Sequence, residues 1–293
     1  LSMDVLSNKA DVEIKEYSSN EPEVEPPRLG RRESEPHSEE VCYMRNVLKD
    51  NFPDNRVLWD LHHYFYHDGE EIDIVFDISF FLEFKTDGPI SSYDSAENNF
   101  MVPDMAVNVL SKSTWMKDIN EIVEKCQLLQ IPIYIVFTPY HVASNQCRAP
   151  FLQVYILDSN MVYRTITINE AAAKEGVEGF ASDKMISLAP RLNLSVGLEL
   201  LKEKYNGILD LFRLFFVDLT NNERLNTGKE MSDQRAGQAE AERDQAEAER
   251  DQAIARANQA ETERDQATAR AEQAEAKSEH LLKLLKENNI PFD

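Results

Sequence analysis

A seven-residue repeat near the C-terminal end constrains the fold of this chain more than any other feature. The repeat runs from Gln238 to Ser278 and contains the segments DQAEAER (244–250), DQAIARA (251–257), NQAETER (258–264) and DQATARA (265–271). Ala, Glu, Gln and Arg are strong helix formers, and the repeat supplies very few large apolar side chains. It therefore predicts one continuous, charged helix that is separate from the globular part of the chain.

The same repeat leaves the association state of this helix open. A period of seven favours supercoiling, but the usual d position holds charged residues: Glu249, Arg256, Glu263 and Arg270. A dense apolar cluster occurs only at the end, where it consists of Leu281, Leu282, Leu284 and Leu285. Two alternatives follow. One is a weak coiled coil with a protein partner or a second copy, and the other is a single solvated helix.

Composition divides the chain into four segments. Residues 1–36 are rich in Glu, Ser and Pro and predict a disordered acidic tail. Residues 37–220 carry the apolar patterns of a globular domain, 221–236 predict a linker, and 237–293 predict the long helix or coiled coil.

The globular segment predicts a mixed α/β fold. Apolar residues at helical spacing predict a helix at Glu40–Asn51, and Asp68-Gly69 predicts the turn of a β-hairpin between strands at Arg56–Tyr66 and Ile72–Phe84. After a predicted loop at 85–99, a strand at Phe100–Leu110 is followed by a crossover helix at Trp115–Leu129. Further strands are predicted at Ile131–Phe137, Leu152–Leu157, Met161–Ile168, Leu192–Leu200 and Leu211–Val217.

Charge and cysteine content narrow the classes of function. The formal net charge is -22, which disfavours DNA binding because lysine and arginine supply the affinity for phosphates. The three cysteines form no CxxC pair, so neither a zinc ribbon nor a disulfide framework is expected. We find no apolar run long enough for a membrane helix and no signal-peptide pattern, so we expect a cytoplasmic protein without membrane contact.

Two aspartates in apolar strands are the first candidates for chemistry. Asp77 lies in IVFDISFF and Asp104 in MVPDMAVN. A buried carboxylate is costly unless it is hydrogen-bonded or binds a metal. From the residues alone, these two either make structural hydrogen bonds or form a weak metal site.

Other candidates are weaker. His62 and His63 are adjacent on a predicted strand and point to opposite faces, which disfavours a shared metal site with the nearby His67. The segment Glu83-Phe84-Lys85 has the residue types of an ExK motif, but its position favours the exit of a strand into solvent.

The spacing around Asp104 resembles the central motif of the Uma-two family, a branch of the PD-(D/E)xK restriction-endonuclease-like superfamily. Pro103-Asp104 is similar to the family's PD, the run from Val109 to Thr114 is similar to its VLS-x-ST segment, and Asp118 falls on its helix aspartate. Upstream, VFDISFFLEF is similar to the other PD strand, with Asp77 retained. The resemblance implies a restriction-endonuclease-like core.

The departures from this family fall on the positions that it uses for catalysis. The metal-binding glutamate falls on Asn108 and the catalytic lysine on Ile122, while the helix tyrosine and a glycine fall on Cys126 and Gln130. Phosphodiester hydrolysis of this kind needs a divalent cation held by carboxylates and a cationic side chain. Asn108 and Ile122 supply neither.

The resemblance therefore implies a pseudo-nuclease that serves as a protein-interaction or assembly module and needs no cofactor. The alternative is an active Mg²⁺-dependent DNA endonuclease in which Lys125, or Lys112, replaces the lost lysine. In that case Asp77, alone or with Asp104, would hold the metal.

Overall fold

The structure is a computed structural model that describes residues 34–85, 88–141 and 146–287. It divides into two compact units, one ending at Leu225 and one beginning at Asn226. Residues 1–33 of the predicted acidic tail and residues 288–293 of the predicted helix lie outside the described residues.

The first unit is a mixed α/β structure with three α-helices and twelve strands in its described residues. The helices are α1 (Glu35–Asn51), α2 (Trp115–Asp118) and α3 (Glu121–Leu128). The strands are β1 (Arg56–His67), β2 (Glu70–Phe81), β3 (Tyr93–Asp94), β4 (Met105–Val109), β5 (Ile133–Thr138), β6 (Phe151–Leu157), β7 (Tyr163–Ile168), β8 (Ala173–Lys174), β9 (Ile186–Ser187), β10 (Leu194–Tyr205), β11 (Leu209–Asp218) and β12 (Glu223–Arg224).

The strands form two sheets. Seven strands form one sheet in the order β3-β1-β2-β4-β5-β6-β7, in which β4 and β5 are parallel and joined by the α2–α3 crossover. The second sheet has the order β12-β11-β10-β8, with β9 paired to β10. The Asp77 strand and the strand that follows Asp104 are neighbours, because β2 and β4 pair antiparallel.

The β1–β2 hairpin forms as predicted, and its turn chemistry explains why. Asp68 and Gly69 have φ values of 50° and 85°. Positive φ at both central residues is the requirement of a type I′ turn, whose twist matches that of the flanking strands. The same register holds from the Arg56–Phe81 pair to the His67–Glu70 pair, but the ladder is interrupted opposite Asp77, where Asp60 has a φ of 49°.

The seven-stranded sheet is covered on both faces. One face packs Ile78, Val107 and other apolar side chains against α1 and against the second sheet. The opposite face packs Phe76, Tyr134 and their neighbours against α3, through Ile122 and Cys126. A central pair of strands covered on both sides explains the nearly continuous apolar sequence of β4 and β5.

Several predicted boundaries need correction. The strand predicted at Phe100–Leu110 is shorter, since β4 spans Met105–Val109 and begins after Asp104. α1 begins at Glu35 rather than Glu40, with a proline in its first turn, a position that proline favours. The crossover is two helices rather than one, because the Asn120 side chain donates to the carbonyl of Met116 and competes with a continuous helix. The predicted loop at 85–99 contains the short strand β3.

The second unit is dominated by one helix, α4 (Gly228–Glu287), which is 60 residues long. It begins inside the segment predicted as a linker. Thr227 and Glu230 explain this start, since each accepts a hydrogen bond from the other's backbone N–H, as in a capping box. None of the helices in the described residues combines the length and apolar character that a membrane crossing requires.

Candidate functional site

The candidate site lies at the end of the backbone ladder between β2 and β4, where side chains form the next hydrogen bonds between the two strands. The backbone pairs run from Phe80–Met105 to Ile78–Val107. One residue further, Asp77 and Asn108 face each other, and their side chains take over the backbone hydrogen bonds. The Asp77 N–H donates to Oδ1 of Asn108 at 3.1 Å, and the Val109 N–H donates to Oδ2 of Asp77 at 2.6 Å.

Asn108 connects this pair to the crossover helices. Its amide Nδ2 donates to Oδ1 of Asp118 at 3.0 Å, and both side chains are buried. Burial raises the pKa of Asp118, while hydrogen bonds from Thr114 and Asn108 act in the opposite direction. The Tyr134 hydroxyl donates to the backbone carbonyl of Asp118 at 3.1 Å and fixes the end of α2 against β5.

His37 covers Asp77 from the side of α1. Its Nε2 lies 3.1 Å from Oδ2 of Asp77, the same oxygen that accepts from Val109. Burial lowers the pKa of His37 to about 4, so the imidazole is neutral at pH 7. The contact is therefore a hydrogen bond from neutral imidazole rather than an ion pair, and this oxygen of Asp77 has two donors from the protein itself.

Ile122 and Cys126 line the apolar side of this arrangement. Ile122 is 2% exposed and Cys126 is fully buried in the cluster that contains Phe76 and Tyr134. At the position of the family's catalytic lysine, the side chain therefore belongs to the hydrophobic core. Gln130, at the family's glycine position, has a φ of 58°, a left-handed conformation that glycine adopts more readily.

Asp104 is not part of this cluster. It precedes β4 by one residue, and its backbone N–H donates to the carbonyl of Phe80. At about 3.3 Å per residue, Asp104 lies roughly 13 Å along the strand from Asn108 and Asp77. The structure therefore does not bring Asp77 and Asp104 together as the two ligands of one metal.

Asp104 has a structural environment of its own. Its Oδ2 accepts from the Leu82 N–H at 2.7 Å, and Oδ1 pairs with Arg191, which precedes β10. These contacts join the end of β2 to the second sheet. Of the two alternatives that the residue types left open for Asp104, structural hydrogen bonds or a weak metal site, these contacts match the first.

The lysines considered as substitutes lie elsewhere. Lys125 forms an ion pair with Glu121 at 2.7 Å and reaches the Asp73 carbonyl at 3.5 Å. Lys112 is exposed, and Glu83 and Lys85 are exposed residues that follow the end of β2. We find no contact between any of these lysines and Asp77 among the described residues.

The histidines of β1 are separated as predicted. His62 is half-exposed and contacts Asp73 at 2.9 Å, whereas His63 is fully buried and contacts the Ser79 hydroxyl at 2.7 Å. His67 lies 3.6 Å from Asp68 near the turn. Across residues 34–85, 88–141 and 146–287, no group of three or more His, Cys, Asp or Glu side chains is placed to hold a metal ion.

The residues present do not fit a catalytic divalent cation. Such a cation needs several oxygen ligands with negative charge. At this site the Oδ2 of Asp77 already accepts two hydrogen bonds, and the carboxyl group of Asp118 accepts one from Asn108 in a buried position that raises its pKa. Asn108 contributes a neutral amide whose oxygen and nitrogen both form hydrogen bonds. His37 was not predicted as a site residue, because a single histidine in an acidic segment carries no signal of its own.

Comparison with known proteins adds one structural relative. No family model and no curated protein matches the chain. A crystal structure of a candidate nuclease belonging to DUF820, from Anabaena variabilis ATCC 29413, is similar at 20% identity, with a TM-score of 0.36, over 53% of this chain and 79% of that chain. A TM-score this low supports no conclusion about the site. DUF820 is the Uma-two family, which the motifs around Asp77 and Asp104 resemble.

Proposed function

We propose that this chain is a restriction-endonuclease-like protein of the Uma-two type with a degraded nuclease site, and that it acts as a protein-interaction or assembly module. The observation that carries the proposal is the closed hydrogen-bond network of Asp77, Asn108, Asp118 and His37 beside the buried Ile122. Where a nuclease of this type holds a cation and a lysine, this chain has an amide and a core residue.

The network stabilises the fold instead of leaving ligands available. The partly buried carboxylate of Asp77 accepts hydrogen bonds from Val109 and His37, so it has hydrogen-bond partners without a metal. A cation at Oδ2 of Asp77 would have to compete with the hydrogen bonds from His37 and Val109.

The long helix supports the interaction role. None of its described residues is buried, and its last turns expose Leu281 by 58% and Leu282 by 45%. A helix of 60 residues extends about 90 Å at 1.5 Å per residue, so it has the reach to contact another chain. The acidic net charge of -22 favours a protein partner over DNA.

Cytoplasmic residence is part of the same proposal. Cys126 and Cys147 are buried free thiols, and Cys42 is an exposed one. Reduced cysteines of this kind are typical of proteins in a reducing compartment.

The test of the degraded site is a Mn²⁺ titration of the full chain followed by electron paramagnetic resonance. We expect no stoichiometric binding at up to millimolar Mn²⁺. The Asp77→Asn variant is the matched control, since it removes the carboxylate on which the expected metal site depends. Tight binding by the native chain that is lost in Asp77→Asn would overturn the proposal and favour an active endonuclease with a rearranged site.

A further inference from the structure

The leucine cluster at the end of α4 fixes a heptad frame for the whole helix. When Leu281 is placed at d and Leu285 at a, Leu282 and Leu284 fall on the flanking e and g positions. This frame differs from the one in which charged residues occupy d. In the new frame every d position of the repeat is alanine: Ala239, Ala246, Ala253, Ala260, Ala267 and Ala274.

The charged residues then follow a rule at the a and g positions. Wherever a is arginine, the preceding g residue is glutamate, as in Glu242-Arg243, Glu249-Arg250 and Glu263-Arg264. In a parallel pair of helices, an a side chain lies beside both the a side chain and the preceding g side chain of the other helix. Each such arginine would therefore meet the same arginine of the second chain, together with a glutamate at g that offsets the repulsion.

The rule reverses where a is alanine. Before Ala236, Ala257 and Ala271, the g residue is arginine, and the e residue five positions further along is glutamate. The resulting g–e′ combinations are Arg235 with Glu240, Arg256 with Glu261, and Arg270 with Glu275. Contacts between g and the following e′ are the interhelical ion pairs of parallel coiled coils.

A single helix does not account for this pattern. Residues five apart do not face each other on one helix, because only spacings of three and four do. The ion pairs that the helix makes internally, such as Arg250 with Glu247 at 3.6 Å, are solvent-exposed and contribute little. The one like-charged g–e′ combination is Glu242 with Glu247.

We propose that the partner of α4 is a second copy of this chain, paired with it in parallel and in register. The proposal names the partner for the assembly role proposed above and rests on it. Parallel pairing brings the two leucine clusters together, whereas antiparallel pairing sets each cluster against the alanine-rich beginning of the other helix. The leucines supply affinity, and the arginine–glutamate pattern supplies direction and register.

The first test measures the mass and dissociation constant of the full chain by sedimentation. We expect a dimer, and we expect Leu281→Ala with Leu285→Ala to weaken it at least tenfold. Gln266→Ala with Gln273→Ala is the matched control on the outward c positions and should leave association unchanged. A monomeric native chain, or equal effects of the two double variants, would overturn the proposal.

The second test measures direction. In a Cys42→Ser background, which removes the exposed thiol, Ala274→Cys places a cysteine at d and Gln273→Cys places one at c. A parallel pair in register should form a disulfide-linked dimer through residue 274 and much less through residue 273. Equal cross-linking of both variants, or none at residue 274, would contradict the parallel register.

A charge swap checks the pairing independently. Arg256→Glu with Arg270→Glu should dissociate the dimer, and mixing it with a Glu261→Arg, Glu275→Arg chain should restore association as a heterodimer. Failure of this rescue overturns the register. Because none of these experiments involves metal or DNA, their failure is distinguishable from failure of the degraded-site proposal.

Discussion

Replacing Ile122 by lysine tests whether the core has closed over the lost catalytic position. Ile122 is 2% exposed and packs in the cluster with Phe76, Tyr134 and Cys126. A lysine there must be deprotonated or carry a buried charge. Deprotonation at pH 7 costs about 1.4 kcal/mol for each unit below the usual pKa of about 10.4, hence about 5 kcal/mol. That is comparable to the whole stability of many domains.

The pH dependence separates this effect from a simple loss of packing. Because the deprotonation cost shrinks as the pH rises, the destabilisation by Ile122→Lys should be about 3 kcal/mol smaller at pH 9 than at pH 7. Urea unfolding followed by tryptophan fluorescence measures it, since Trp59 and Trp115 both lie in the first unit. Leu128→Lys is the matched control in the same helix, because Leu128 is 47% exposed.

The control should lose less than about 0.5 kcal/mol, as surface substitutions usually do. A loss of under about 1 kcal/mol in Ile122→Lys, with no change between pH 7 and 9, would refute the reasoning, since a buried lysine has the deprotonation cost given above. Such a result would mean that polar groups near Asp118 can solvate the lysine side chain.

Two further predictions concern the same sheet. Asn108→Glu combined with Ile122→Lys should destabilise the first unit by about 1–3 kcal/mol less than the sum of the single changes, because the new carboxylate would neutralise the new lysine; a double-mutant cycle of urea midpoints checks this, and strict additivity would contradict it. Burial lowers the pKa of His63 to about 4, so between pH 6.5 and pH 4 the unfolded chain binds a proton that the folded chain does not, and stability falls as the pH falls. The His63→Gln variant should lose about 3 kcal/mol less than the native chain across that window, and identical pH profiles would exclude His63 as the cause.

The hairpin and most of the long strands followed from strong local signals. The Asp68-Gly69 turn fixed the hairpin, and the continuous apolar run of β5 marked a strand covered on both faces. The strands β3, β8, β9 and β12 were not predicted because each has only two residues and therefore no periodicity. Their positions depend on tertiary pairing rather than on local sequence.

The site was predicted in part. Family spacing singled out Asp77, Asn108 and Ile122. The structure brings Asp77 and Asn108 into hydrogen-bond contact, and it places Ile122 on α3 in the apolar cluster that covers this sheet. The proposed role of Asp104 beside Asp77 does not match the geometry, because residue type cannot show that Asp104 lies at the far end of the strand pair. His37 was missed for a related reason, since its contact with Asp77 joins residues 40 positions apart.

The most direct test of the degraded site is cleavage of supercoiled plasmid DNA by the purified full chain with Mg²⁺ or Mn²⁺. The closed network around Asp77 and the buried Ile122 predict no nicking above the level of a buffer control. The Asp77→Ala variant, purified in parallel, identifies contaminating nuclease, since contamination would remain in both preparations. Metal-dependent cleavage by the native chain that disappears in Asp77→Ala would contradict the account.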